Sequence, residues 1–85
     1  MADHFIYILV SKNAPKTYIG VTSDIEKRIS EHNSGSNAYT RKYKPWKLFY
    51  SEKFDDRSVA LKREIYLKSH AGRNFIKKLF QNIPR

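Results

Sequence analysis

The stretch from Phe5 to Val21, FIYILVSKNAPKTYIGV, decides the fold. Phe5 to Val10 run without a polar residue other than the Tyr7 hydroxyl, as expected of a strand that is apolar on both faces. Ser11 and the turn-forming Asn13-Ala14-Pro15 end that strand. Thr17 to Val21 reads as a second strand, close enough to the first for an antiparallel hairpin. Tyr7 and Tyr18 project from one face if the loop pairs them directly. A slip of one residue would send the two rings to opposite faces, and the stretch alone leaves that register open.

Downstream, Ser23-Asp24-Ile25-Glu26 reads as a capping box, with Ser23 at the N-cap and a helix beginning at about Asp24. The helix should stop near Asn33-Ser34-Gly35, where glycine takes up the left-handed conformation that ends helices. Ile25 and Ile29 point inward, while Arg28 and His32 are i, i+4 neighbours along one edge. Residues 34–45 form a polar, basic loop punctuated by Gly35 and Pro45. A third strand covers Trp46 to Phe54, and Asp55 or Asp56 caps a helix that runs to Ala71 and ends at Gly72. Phe75, Ile76, Leu79 and Phe80 give a last amphipathic helix. This order predicts one α+β domain over residues 1–85, a small three-stranded, mainly antiparallel sheet flanked by about three helices.

Composition narrows the function. With 85 residues there is room for one modest core and no second domain. The absence of Cys rules out disulfides, thiolate zinc sites and a cysteine nucleophile. The apolar run Ile6 to Val10 is too short to span a membrane, and no basic segment precedes it as in a secretory signal, so a soluble, cytoplasmic protein is expected. A formal charge of +9 and a pI of about 9.9 fit a domain that binds a polyanion. Arg41, Lys42, Lys44, Arg63 and Lys68 are the expected phosphate contacts. Lys77-Lys78 also fits the solvated side of the last helix. The segment from Thr40 to Trp46 interleaves cations with Tyr43 and Trp46, which suits base stacking, although Trp46 fits a core position equally well.

Glu64 stands apart. Ala60, Glu64, Leu67 and Ala71 recur at i, i+4, i+7 and i+11 along one side of the predicted helix, so a carboxylate interrupts the stripe where packing favours an apolar group. Burying it is unfavourable unless a cation or donors meet it. A salt bridge to Lys or Arg answers that requirement, and so does a metal ion at an active site.

Tyr7 in Phe5-Ile6-Tyr7, Tyr18 in Tyr18-Ile19-Gly20, Arg28, His32, Ala38-Tyr39-Thr40 and Glu64 follow one another in an order and spacing that resemble the GIY-YIG nuclease family. The resemblance is to its small single-domain members, which are similar to the catalytic domain of the nuclease subunit of bacterial nucleotide-excision repair, and it runs from about Phe5 to about Phe80. It implies a divalent-metal-dependent endonuclease that hydrolyses DNA phosphodiester bonds in repair or recombination, with Mg²⁺ or Mn²⁺ as cofactor. By the resemblance, Arg28 and Glu64 are expected to take the two most important positions, Glu64 as the metal ligand. The resemblance also implies that one of Tyr7 and Tyr18 helps to activate or orient the attacking water and that His32 shares base or phosphate-binding work. Asn74 corresponds either to a polar residue near the metal-binding Glu or to the N-cap of the last helix, and His4 and His70 match no motif position.

Two positions depart from the family pattern. Phe5 stands where the family name gives Gly, and Val21 follows Tyr18-Ile19-Gly20 where the repair nuclease carries Lys, so one phosphate contact is absent. With no further domain to choose a target, specificity is low or comes from a protein partner, and a monomer is expected. The alternatives are a non-catalytic nucleic-acid-binding module of the same fold and a basic accessory domain docking on an acidic protein. Neither accounts for a carboxylate placed among tyrosines and an arginine.

Overall fold

The computed structural model describes residues 3–81. Strands β1 (His4–Ser11), β2 (Thr17–Thr22) and β3 (Trp46–Phe54) form an antiparallel sheet in the order β2-β1-β3. Helices α1 (Ile25–Ser34) and α2 (Ala38–Lys42) lie between β2 and β3, and α3 (Arg57–Lys68) and α4 (His70–Gln81) follow β3. The hairpin is present, and β1 is the central strand, which is why its apolar run has no polar face. Ile6, Tyr7, Ile8 and Leu9 are all buried. Tyr7 and Leu9 pack with Trp46 and with Ile25, Ile29 and Tyr43 from the α1 and α2 side. Ile6 and Ile8 alternate to the other face, and α3 packs against all three strands. Burial of aliphatic side chains such as Ile6, Ile8 and Leu9 contributes about 1.5–3 kcal/mol each.

The register resolves the position of the tyrosines. Tyr7 pairs with Gly20 and Leu9 with Tyr18, so the two rings share a face as diagonal neighbours, not as a direct pair. Gly20 is required there: a β-carbon on it would sit 2.6 Å from Tyr7 Cζ, inside the volume of the ring.

Four expectations are corrected. The N-cap of α1 is Asp24, whose carboxylate accepts from the Lys27 N–H at 3.1 Å, so Ser23 lies outside the helix and the capping box does not form. The polar loop contains α2, begun by the Asn37 side chain, which accepts from the Tyr39 and Thr40 N–H groups. The helix carrying Glu64 ends at Lys68, because Ser69 adopts extended backbone while its N–H and hydroxyl both bond the Tyr66 carbonyl. Ser69 then opens α4, accepting at Oγ from the Gly72 N–H. Gly72 is therefore not a stop signal. It is a buried contact inside α4, where a β-carbon would run into the Tyr66 carbonyl and the Leu67 backbone. Ala71 and Asn74 are both exposed within α4, so Asn74 is not its N-cap.

Candidate active site

Tyr7, Tyr18, Gly20, Arg28 and Glu64 line one cleft of about 520 Å³ between the hairpin, α1 and α3. Tyr7 reaches it from the central strand across Gly20, Tyr18 from the edge strand, Arg28 from the first turn of α1 and Glu64 from the middle of α3. The rings of Tyr7 and Tyr18 are 6.2 Å apart between centroids. Four of the five expected catalytic residues thus share one cavity.

His32 lies behind it. It is buried, with Nε2 3.0 Å from the Tyr7 hydroxyl and Nδ1 2.9 Å from Thr40 Oγ1. Tyr18 packs on the imidazole with centroids 4.6 Å apart. One tautomer uses every hydrogen bond of the network: with Thr40 Oγ1 donating to the Asn37 carbonyl at 3.4 Å, its oxygen accepts from His32 Nδ1–H. Nε2 then carries a lone pair toward Tyr7, whose hydroxyl donates to it. Burial holds the His32 pKa below its ordinary value, and the Arg28 charge adds to this, so the ring is neutral at pH 7 and able to accept. Burial raises the phenol pKa of Tyr7, while Arg28 beside it pulls the other way.

Arg28 is half-exposed and pairs with Glu31, Nη1 to Oε1 at 2.8 Å. That contact uses one N–H of five, which steadies the side chain and leaves donors for a phosphate. Glu64 has the cation that a salt bridge requires: Lys68 Nζ is 3.2 Å from Oε2, one helical turn on. An i, i+4 pair whose lysine side chain is 55% exposed contributes only about 0.3–0.5 kcal/mol, too little to explain a carboxylate that is itself four-fifths covered and faces this cleft.

Among the described residues no group of three or more His, Asp or Glu side chains gathers as a metal cage. Mg²⁺ does not need one, since it keeps several waters and takes one or two carboxylates together with substrate phosphate. The lining offers hard oxygen donors around a single carboxylate, from Glu64, Tyr7, Tyr18, Thr22 and Ser23, a set that fits such an ion.

The expected phosphate contacts divide. Arg41 and Lys42 are exposed in the last turn of α2 and Lys44 is exposed just after it, none of them lining the cleft. Arg63 is not free for phosphate. Its guanidinium forks onto Glu52 at 2.8 and 2.9 Å and lies over the rings of Tyr66 and Phe75. Lys68 holds Glu64. Trp46 belongs to the core, its indole N–H donating to the Thr40 carbonyl at 2.7 Å, so the stacking role falls away.

Thr40, His4 and Arg57 were not expected at the site. Thr40 is fully buried and orients His32, and His4 and Arg57 line the cleft with Glu64. Arg57, Leu61 and Glu64 stand at i, i+4 and i+7, so the periodicity that marked Glu64 also pointed to Arg57.

A tyrosine pair on a hairpin, an arginine on the following helix and a carboxylate on a later one define a nuclease-type site. The chain belongs to the GIY-YIG family: residues 3–78 match the GIY-YIG catalytic domain. It is 44% identical over 78 residues to a UPF0213 protein of Staphylococcus saprophyticus, covering 91% of this chain and 94% of that one. It is 41% identical over 69 residues to one from Natronomonas pharaonis, covering 80% of each. The solution NMR structure of the UPF0213 protein BH0048 from Bacillus halodurans is similar at a TM-score of 0.55 and 32% identity, over 91% of this chain and 84% of that one.

Proposed function

We propose that the protein is a divalent-metal-dependent endonuclease that hydrolyses DNA phosphodiester bonds. The observation that carries this reading is the convergence of Tyr7, Arg28 and Glu64 on one cleft with a neutral His32 hydrogen-bonded to Tyr7. Binding alone calls for neither a carboxylate facing phosphate nor a buried base behind a phenol, which weighs against the purely binding module.

The residues divide the reaction as follows. The Arg28 guanidinium binds a phosphate oxygen pair and stabilises the charge that grows there. The attacking water gives its proton to Tyr7 Oη as the Tyr7 proton passes to His32 Nε2, so no free phenolate accumulates. The water oxygen bonds to phosphorus, the bond to the leaving oxygen breaks and that oxygen takes a proton from solvent, while the proton held on His32 Nε2 returns through Tyr7 to solvent and restores the neutral imidazole. Glu64 would hold the Mg²⁺ or Mn²⁺, which supplies positive charge to the phosphate and the leaving oxygen when bound. Thr40, at 2.9 Å from Nδ1, holds the imidazole with Nε2 directed at Tyr7 in both protonation states.

Nicking of supercoiled plasmid tests the proposal. Relaxed circles should appear with Mg²⁺ or Mn²⁺ and not with EDTA. If plasmid, single-stranded, flap and branched DNA all stay intact in both metals, the catalytic reading fails.

A further inference from the structure

A second concavity of about 520 Å³ lies beyond the cleft, floored by Ile19, Leu67 and Ile76 and rimmed by Lys68, Arg73 and Lys77. A smaller hollow of about 320 Å³ connects the two: it shares Tyr18 with the cleft, and Thr17, Ile19 and Lys68 with the outer concavity. The result is a trough along the edge strand β2, from the catalytic tyrosines to α4. Aromatic rings stand at both ends with open surface: Tyr39 is 43% exposed beside Tyr18, and Phe80 is 41% exposed and held by stacking on Phe49 at 4.3 Å between centroids. Among the described residues no carboxylate lines the outer concavity or the connecting hollow.

We propose that this trough binds single-stranded DNA and leads it into the cleft. The inference rests on the nuclease reading for the identity of the cleft, and it adds the substrate class. An apolar floor with aromatic ends under a cationic rim matches a strand whose bases are unpaired, with bases stacking below and phosphates at the rim. A duplex keeps its base faces stacked inside and offers phosphates outward, so it would leave the apolar floor unused. Lys68 stands where trough and cleft meet, within reach of a phosphate entering the site. Continuity with the cleft and the one-sided charge favour a strand over a protein segment.

Fluorescence anisotropy with a labelled single-stranded oligothymidylate, in EDTA so that nothing is cleaved, tests the proposal against a duplex of equal length and salt. Tighter binding of the single strand is expected. Arg73→Ala with Lys77→Ala, both exposed positions, should weaken single-strand binding about tenfold and raise KM for a single-stranded substrate more than it lowers kcat. Phe80→Leu, which keeps an apolar side chain and removes the ring, should weaken it about tenfold as well. Single-strand affinity unaltered in both variants overturns the trough and leaves the nuclease reading standing. Tight single-strand binding without cleavage in any metal does the reverse. A dimer in solution that Phe80→Asp dissociates would assign the trough to a second copy of the chain and also overturn the proposal.

Discussion

Glu64→Gln separates a metal ligand from a structural ion pair, and the structure sets the scale of each outcome. The amide keeps the side-chain volume and removes the charge. What the folded protein loses is the contact with Lys68 at 3.2 Å, whose side chain is 55% exposed. Such a pair contributes about 0.3–0.5 kcal/mol. In a domain of this size 1 kcal/mol moves Tm by about 4–8 °C, so the variant should melt no more than about 1–4 °C below the parent. Lys68 is not stranded, because water already reaches it. Cleavage should fall far more, by about 10²-fold or beyond, the scale on which loss of one stabiliser of transition-state charge acts. A Tm change this small leaves the folded fraction at 25 °C essentially intact, so unfolding cannot account for such a loss. DNA affinity should hold or rise slightly, since phosphate meets one less negative charge. Differential scanning fluorimetry, anisotropy and plasmid nicking on one preparation decide the matter. Near-parental nicking, or lost nicking together with a collapse of Tm by 10 °C or more, would remove Glu64 from the catalytic site.

The buried, hydrogen-bonded His32 makes both activity and stability pH-dependent. Because its folded pKa is depressed, the unfolded chain binds more protons in the window below about 6.5, so stability and cleavage should both fall as pH drops from there toward the depressed value, and a flat pH-rate profile from 7.5 to 5 would refute the relay. Thr40→Val leaves a buried His32 Nδ1 without its partner, which should cost about 1–3 kcal/mol and displace the acid limb of the profile; a stability loss with an unmoved limb would make Thr40 structural only. Gly20→Ala drives a methyl into the Tyr7 ring and should cost about 1–3 kcal/mol, together with most cleavage, read by urea unfolding and nicking. Arg28→Lys should be nearly as inactive as Arg28→Ala with Tm unchanged, because the fork and not the charge is what is lost; near-parental activity in the Lys variant would reduce Arg28 to a contributor to the basic field.

The hairpin was legible because a strand buried on both faces writes itself as an unbroken apolar run, and β3 because its bounds carry clear turn signals. The Tyr7–Gly20 register was not, since it depends on a ring crossing the neighbouring strand, a tertiary event that leaves only an isolated glycine in the chain. Helix α2 was missed for a related reason. Ala38–Lys42 has no apolar periodicity, and it is secured by the Asn37 cap and by the Trp46 indole on the Thr40 carbonyl. Without α2 in view His32 looked like an edge residue, whereas Thr40 from that helix holds it buried. The turn between α3 and α4 is hidden because the stripe continues through it, with Ser69 satisfying the backbone on both sides. Arg63 reads as free charge until the fold brings Glu52 to it from β3.

The same logic alters the meaning of Val21. A lysine missing from the end of β2 would leave Arg28 as the lone cation if the cleft were built from the hairpin and α1 only. It is built from α3 as well, and Arg57 in the first turn of that helix lines the cleft on the Glu64 side. Two arginines therefore line the cavity from two different helices, one steadied by Glu31 and one carried seven residues before the carboxylate. On the nuclease reading proposed above, a phosphate bound in this cleft would meet arginines carried by two helices, with the Glu64 carboxylate in the same lining. The positive charge that a strand lysine would bring to the lining is thus carried by a helix, on the same i, i+4, i+7 row as Leu61 and Glu64.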